Sequence, residues 1–538
     1  MKILVNNKWQ NGFLDYHQSK KEYRIQVLAW KNLEKIEDAY YIRPKSLKMA
    51  LRYLPVVGFY GLFTKAWSRF REQRRNEKYV SCGIGKIIET GDNSEFKINE
   101  TVVFIAPFHP HLVERLTLPQ ELIFNIDKTI LPQLSLKEIL LCSLERDNKS
   151  KQWWEDVISW NIYSGRDIPE ELRKKLGKSL IQEIKNTNWN SGKKFSIEIP
   201  TEIKEIKGEV KKLDSRKTGV LFGFGNYAKT NIISFMKPFV NITTIHEIDP
   251  TQIWEKSAQK WDTIPFPRDN EKYDVYFVAS YNHTHVPITL YALKQGAYAV
   301  VEKPVAMDYE ELAEIEKIIK QVGPKIFIGF HKRYSVFNDW AMEDLSVQRG
   351  DPISYHSIVY EISQPKYFWY TWPVSRSTFF ANGCHQIDHF LHLNDFSRPK
   401  DFNIKLLQDN AIEVWIELEN SAVFTTTFSE KGSTRIGPRD HVELKVPGKN
   451  VRITDNISYL SEDESRIIRK RRMFKTNSYR NMYLKIGAKI SNNEKGDSIE
   501  SILVSTKLML DLEEKLQKQK GWGDRYPRAK ERFWNYFK

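Results

Sequence analysis

Residues Thr218–Met236 read TGVLFGFGNYAKTNIISFM, and the order of residue types in this stretch decides the architecture around it. An apolar run ending at Phe222 meets Gly223-Phe224-Gly225-Asn226-Tyr227-Ala228, and a helix-forming segment follows at once. This is a GxGxxA turn set between a strand and a helix. Gly223 permits the sharp turn, Gly225 lets a pyrophosphate approach the backbone, and Ala228 allows close helix–strand packing. The helix N-terminus meets the negative charge. In this context the spacing predicts that Gly223, Phe224, Gly225, Asn226, Tyr227 and Ala228 bind a dinucleotide.

Reading outward, ITTIHEIDP (242–250) is a second strand and KYDVYFVAS (272–280) a later one. The helix-like THVPITLYALKQG then leads into YAVVEKP (298–304), and PKIFIGF lies beyond another helical segment. Strands alternating with helices of this length predict parallel βαβ units. Beyond Lys332 the rhythm changes to longer polar–apolar strands, such as ISYHSIVYEIS and AIEVWIELENSAVFTTTFS, which suit an open, mostly antiparallel sheet. The stretch SILVSTKLMLDLEEKLQKQKG near the end reads as an amphipathic helix.

Glu247 lies near the predicted end of the second strand, where a carboxylate accepts both ribose hydroxyls and repels a 2′-phosphate. NAD is therefore favoured over NADP, with Asp249 a competing assignment. In SYNHTHVP (Ser280–Pro287), Asn282 and His285 are placed to border the cofactor. His283 and His285 are too thin a set for a metal site without acidic or thiolate ligands nearby, so no metal is expected.

At 538 residues the chain implies two or three domains, and 41% hydrophobic with 28% charged residues fits a folded protein. Cys82, Cys142 and Cys384 are far apart and odd in number, which argues against a disulfide framework. The absence of a signal-like start or a ~20-residue apolar run leads to the expectation of a cytoplasmic protein. Part of the +15 net charge is concentrated in Thr64–Lys78 and in Arg466–Lys489, which holds nine Lys or Arg residues. A solvated basic face is the first reading of these patches. Nucleic acid is not expected, because no finger or RNA-binding signature accompanies them. The apolar and basic stretch Val56–Arg75 fits an internal domain contact or peripheral attachment at the inner face of a membrane.

The segments GFGNYA, HEIDP, YNHTHVP, EKPVA, GFHKRY and NGCHQID, in that order, resemble the Gfo/Idh/MocA family of nicotinamide-dependent oxidoreductases. The resemblance covers about Thr218 to the C-terminus. It implies a Rossmann domain followed by an α/β domain whose large sheet lines the substrate pocket and an oligomer interface, hence a homo-oligomer. It implies that Lys303 of EKP sits by the nicotinamide and the substrate hydroxyl, with Glu302 fixing the loop. It makes His385 the match to the catalytic histidine, Asp388 its supporting carboxylate, and Arg333, Tyr334 and His389 candidate substrate contacts. Several family members carry an aspartate four residues before this histidine, where Ala381 stands here. A lysine so placed stabilises charge on the reacting oxygen, and a histidine exchanges its proton.

A second resemblance lies in RPKSLKMALRYLP (Arg43–Pro55), SCGIGKIIETGDNSEFKINETVVFIAPFHPHLVE and LPQELIFNI. These are similar to the GroES-like entry domain of bidomain oxidoreductases, here without the complete first Rossmann domain. The expected organisation is α/β multidomain. It comprises a β-rich GroES-like domain (1–135), a helical insert and connector (136–217), a Rossmann NAD-binding domain (218–340) and a C-terminal substrate and oligomerisation domain (341–538).

The resulting expectation is an NAD-dependent oxidoreductase acting at a secondary alcohol or ketone of a sugar, sugar nucleotide or glycan-related substrate. Transient-redox glycan processing and a cofactor-binding scaffold in glycan assembly stay open as alternatives.

Overall fold

The computed structural model describes residues 216–247, 260–262, 266–268, 271–363, 376–432 and 439–520. From the N-terminal part it describes 2–5, 8–11, 22–36, 54, 59, 62–63, 78–90, 96–106, 115–119 and 123–125. The expected helical insert, Asp249 and most of Val56–Arg75 lie outside these residues. Within that last stretch, Phe59 and Phe63 are exposed.

The described N-terminal strands form two antiparallel sheets. β1 (Lys2–Val5) and β2 (Lys8–Asn11) pair antiparallel. β3 (Glu22–Ile36), β4 (Lys78–Glu89), β5 (Thr101–Ala106), β6 (Arg115–Pro119) and β7 (Ile123–Asn125) form a five-stranded sheet in the order β6-β3-β4-β5-β7. Its pairs are all antiparallel. Ile25, Ile84, Ile87, Val102, Phe104 and Ile123 are buried on it. A Cβ at Gly85 would lie 2.1 Å from Cγ2 of Ile25, so only glycine lets these strands approach as closely as they do.

The parallel sheet predicted from Thr218 onward is present. Its strands are β8 (Lys217–Phe222), β9 (Val240–His246), β10 (Lys260–Asp262), β11 (Val275–Val278), β12 (Tyr298–Val301) and β13 (Ile326–Ile328). Their order is β10-β9-β8-β11-β12-β13. Every residue of β11 and β12 is buried, as expected for strands covered on both faces. The order reverses beside β8, so the strand ends there open the crevice in which such folds bind ligands.

A short π-turn (Ala228–Ile232) and α1 (Ile233–Met236) follow the glycine turn. α2 (His285–Lys294) and α3 (Tyr309–Val322) complete the crossovers. Asp308 caps α3 by accepting from the Glu311 amide at 2.8 Å, and Gly323 closes it at φ 85°. After α4 (Val336–Leu345) comes the second large sheet.

That sheet holds β14 (Ser354–Ile362), β15 (Pro399–Leu406), β16 (Ile412–Leu418) and β17 (Val423–Gly432), then β18 (Asp440–Val446), β19 (Lys449–Thr454), β20 (Ser458–Asp463) and β21 (Ile467–Arg472). The order is β15-β16-β17-β14-β18-β19-β20-β21. Only the central β14–β17 pair is parallel. Inward residues such as Tyr355, Val359, Val414 and Phe424 are buried under α4, α5 (Cys384–Leu393) and α7 (Ile499–Gln519). The opposite face carries His356, Ile358, Tyr360 and Trp415, and a cavity of about 690 Å³ lies there.

α6 (Asn477–Ser491) leaves this sheet and returns to the parallel one. Its Met482, Tyr483, Ile486 and Ile490 join Leu221, Ile232 and Val240 in one apolar cluster. At Gly487 a Cβ would meet the Phe239 ring at 2.2 Å, so the helix rests directly on that side chain. The basic stretch Arg466–Lys489 is thus divided between the exposed edge strand β21 and this helix. Charge on an edge strand blocks pairing with other chains, which gives the run Arg469–Arg472 a structural reason. No helix among the described residues is long and apolar enough to cross a membrane.

Candidate active site

The glycine turn is shaped for a nucleotide. Gly223 has φ 88°, its amide donates to the His246 carbonyl at 2.9 Å, and a Cβ there would lie 2.4 Å from the Ala279 oxygen. Only glycine closes that turn. A Cβ at Gly225 would meet nothing within 4 Å, so the space above this residue is open for a ligand to approach the backbone. Ala228 is buried against the strand, as expected, while Asn226 faces outward. Glu247 follows the last residue of β9 and accepts from the Phe224 amide at 2.6 Å, which holds its carboxylate at the turn. The residues present fit NAD: an open cradle, a helix start, and a carboxylate beside them.

The neighbouring loops are built to hold Lys303. Asn282 and His285 are both buried. The His285 ring lies between two carbonyls, with Nδ1 2.8 Å from that of Pro304 and Nε2 3.3 Å from that of Ser280, and a neutral ring donates to only one of them. Burial drives its pKa down to about 4, so the ring is neutral near pH 7. The Lys303–Pro304 peptide is cis. Lys303 Nζ donates to the Ala381 carbonyl at 2.7 Å and to Asn382 Oδ1 at 3.1 Å. These two acceptors stand just before α5, so EKP and NGCHQID meet in space.

Glu302 is half-buried beside this lysine. Tyr483 donates to its Oε1 at 2.9 Å, and the Tyr483 and Tyr227 hydroxyls lie 3.1 Å apart. Burial raises the Glu302 pKa, against the pull of Tyr227 and Lys303. A Cβ at Gly329 would stand 2.7 Å from Glu302 Oε1, so the carboxylate fills the space that glycine leaves.

His385, on the first turn of α5, packs edge-on against His331 at 4.7 Å and Phe330 at 6.2 Å. Its Nδ1 is buried with no hydrogen-bond partner among the described residues. Burial, then the charges of Lys303, Lys332 and Lys475 together with His331, hold it well below the usual histidine range. His331 stacks on Tyr479 at 4.0 Å, with its Nδ1 3.0 Å from Ser478 Oγ. A neutral imidazole beside a lysine can accept a proton from an alcohol whose oxygen that lysine holds.

Asp388, the candidate supporting carboxylate, is buried on the same helix as His385. Arg333 grips Asp388 bidentately, Nε to Oδ2 at 2.8 Å and Nη2 to Oδ1 at 2.5 Å, and Ser505 donates to Oδ1 at 2.7 Å. No hydrogen bond joins Asp388 to His385 among the described residues. The guanidinium fork engages both carboxylate oxygens, and Ser505 shares Oδ1 with it. Arg333 and Asp388 therefore fix the 3-10 turn His331–Tyr334 against α5. Tyr334 is half-buried there, its pKa raised by burial and by Asp497. His389 lies deeper, its Nε2 2.8 Å from Asn338 Oδ1 and its Nδ1 3.1 Å from the Tyr355 hydroxyl, where it joins helix to sheet.

Sequence reasoning missed His331, Lys475, Ser478, Tyr479 and Tyr483. His331 had a signal, standing in GFHKRY at the end of a parallel strand where ligands gather. The other four come from α6 and the turn before it, far along the chain.

Residues 218–330 match the Gfo/Idh/MocA family, described as an oxidoreductase family with an NAD-binding Rossmann fold. No curated protein matches the sequence. Among solved structures, aldose–aldose oxidoreductase from Caulobacter crescentus, complexed with glycerol, is 13% identical. That match covers 56% of this chain and 98% of the other, with a TM-score of 0.48. Scyllo-inositol dehydrogenase from Lactobacillus casei, with bound NAD(H) and scyllo-inositol, is 16% identical over 56% and 98% of the two chains, with a TM-score of 0.46.

Proposed function

We propose, from the premise that residues 218–330 are an NAD-binding Rossmann domain of the Gfo/Idh/MocA oxidoreductase family, that the chain is a dehydrogenase or reductase. It acts at a secondary alcohol or ketone of a sugar, sugar nucleotide or glycan-related substrate. NAD, when bound, supplies the acceptor or donor of hydride. The protein supplies the rest: Lys303 orients and stabilises the substrate oxygen, and His385 exchanges its proton. Glu247 selects NAD through the ribose. Arg333 and Asp388 hold the floor of the substrate side.

The observation that carries this reading is the reach of Lys303 to Ala381 and Asn382, which brings the lysine to the helix that begins with Cys384 and His385. The same place favours a second reading. Ala381 offers a methyl group where an aspartate would add a carboxylate, and a cofactor-binding scaffold without turnover would have no need of one.

In the dehydrogenase reading the outward face of the eight-stranded sheet, with Ile358, Tyr360 and Trp415 half-exposed, pairs with a second copy of the chain. The front region 1–135 is a GroES-like module that grips substrate or assembles the protein, joined through 136–217 to the Rossmann (218–340) and substrate (341–538) domains.

The test is the mass and absorbance of material released when gently purified protein is denatured, followed by titration with both nicotinamide cofactors. Release of NAD(H), or NAD bound about tenfold or more tighter than NADP, is expected. Binding of NADP alone, or of neither, overturns the reading. Bound NAD with no turnover on any sugar alcohol moves the scaffold forward.

A further inference from the structure

The turn between β21 and α6 brings unused positive charge to His385. Met473 is pinned by its amide to the Ile457 carbonyl at 2.7 Å, and α6 starts at Asn477. Ser478 and Tyr479, on the first turn of this helix, hold His331, which packs on His385. Lys475 stands in the same turn, three residues before Ser478.

The Lys475 ammonium has no hydrogen bond or ion pair among the described residues. Burial, and then repulsion from Arg439, lowers its pKa. The carboxylates around it have other partners, although Asp440 Oδ1 is buried with none among the described residues. Asp440 Oδ2 meets Lys332 Nζ at 2.5 Å, and Glu361 Oε2 meets Arg439 Nη2 at 2.7 Å. Asp455 Oδ1 accepts the amides of Arg439 at 2.8 Å and Asp440 at 3.1 Å. Arg439 Nε is itself buried with no hydrogen-bond partner among the described residues.

Counting charge, Lys332, Arg439 and Lys475 balance Asp440, Glu361 and Asp455. Further features bear on the site. Lys303 reaches in from the parallel sheet, and burial raises the pKa of Glu302 beside it. The first turn of α6 contains no acidic residue, and Thr476 gives no side-chain cap. A positive site with two unused donors, next to a neutral histidine, calls for a ligand that brings its own negative charge.

We propose that Lys475 and Arg439 bind an anionic substituent of the substrate beside His385, so that the substrate class is an acidic sugar, one bearing a carboxylate or a phosphate ester. This rests on the oxidoreductase reading above, because it takes His385 as the reacting end of the site. A negative group held there fixes which hydroxyl of the sugar faces His385 and Lys303. Lys475 thereby sets specificity without touching the reacting atoms.

The test is calorimetric titration of the full chain, with and without saturating NAD, using glucuronate, glucose 6-phosphate, glucose and inorganic phosphate. At least one acidic sugar should bind about tenfold or more tighter than glucose, as a charge-assisted contact implies. Lys475→Gln should lose about that factor for the acidic sugar, and Lys475→Arg should recover most of it. Whichever acidic sugar binds identifies the anion as carboxylate or phosphate.

Glucose binding as tightly as both acids overturns the proposal. So does an unchanged affinity in Lys475→Gln, or no binding by any probe. Inorganic phosphate binding as tightly as either sugar also overturns it, since the site would then not read a substrate. NAD is titrated first and separately. Failure of NAD to bind, with acidic-sugar binding intact, faults the oxidoreductase reading and not the anion site.

Discussion

Tyr483 donates its hydroxyl to Glu302 Oε1 across 2.9 Å, although the two residues are 181 positions apart in the chain. Through this contact the helix that follows the large sheet holds the residue next to Lys303. The Tyr227 hydroxyl, 3.1 Å from that of Tyr483, extends the chain of contacts to the nucleotide turn. Three parts of the site are thus joined by side chains that carry out none of the chemistry themselves.

Tyr483→Phe should destabilise the fold by about 1–3 kcal/mol, because Glu302 keeps its burial and loses a donor. Chemical denaturation of Tyr483→Phe, Tyr227→Phe and the double variant measures this. The two losses should fail to add, since the residues share one network. Strict additivity would mean that the hydroxyls act independently.

Gly329→Ala tests the same loop from the other side. The new methyl would stand 2.7 Å from Glu302 Oε1, so Glu302 and the adjacent Lys303 must move. Overpacking of this kind costs about 1–3 kcal/mol. The measurement is a urea unfolding curve together with NAD titration. Stability should fall, and NAD affinity should fall with it, because Tyr483 and Tyr227 tie Glu302 to the nucleotide turn.

How much of this site can be read in the sequence depends on distance along the chain. The GFGNYA turn, the Glu247 position and the EKP loop are legible because each is fixed by its own strand and the residues that follow. His385 falls on a helix by pattern, and the helix Cys384–Leu393 is there. The partner of Asp388 is not legible, because Arg333 reaches it across 55 residues and no local period connects them. Arg466–Lys489 reads as one basic patch, since counting charge ignores where a strand ends and a helix begins. Its split between β21 and α6 puts Lys475 beside the histidines, which only the tertiary fold can do.

Cys384 should be inert although it adjoins His385. Its thiol is buried, donates to the Ala381 carbonyl at 3.3 Å, and is pushed by burial up to about 12. A thiolate is needed for alkylation, so peptide mapping after iodoacetamide at about pH 8 should find this position unlabelled in native protein and labelled after denaturation. Labelling in the native state at the rate of a free thiol would contradict the burial.

The buried imidazoles make stability sensitive to acid. His285 has its pKa driven down to about 4 by burial, and the same cause takes His392 to about 3 and lowers His331, His385 and His389. Below about pH 6.5 the unfolded chain takes up protons that these folded rings refuse. Their contribution is therefore complete above about pH 6.5 and is lost as pH falls through the window from there towards about 4. Each ring that stays neutral should cost about 1.4 kcal/mol per pH unit in that window. Urea midpoints at about pH 7.5 and about pH 5.5, at fixed ionic strength, should differ accordingly. His285→Asn, which keeps a donor for the Pro304 carbonyl, should reduce the difference by one ring's share.

Two glycines in one turn should respond in opposite ways to the same substitution. At Gly223 the backbone has φ 88° and an added Cβ would lie 2.4 Å from the Ala279 oxygen. Gly223→Ala therefore strains the folded protein itself, by about 1–3 kcal/mol or more, with or without ligand. At Gly225 a Cβ would meet nothing within 4 Å. Gly225→Ala should leave the unliganded protein within about 1 kcal/mol of the parent, since the methyl enters open space and alanine also narrows the unfolded ensemble. The space it enters is where a pyrophosphate approaches the backbone, so NAD affinity should fall by about tenfold or more. Denaturation curves and NAD titrations of both variants separate the two effects. If Gly225→Ala bound NAD as well as the parent, the pyrophosphate would not lie over this turn, and the nucleotide site would have to be sought elsewhere in the crevice.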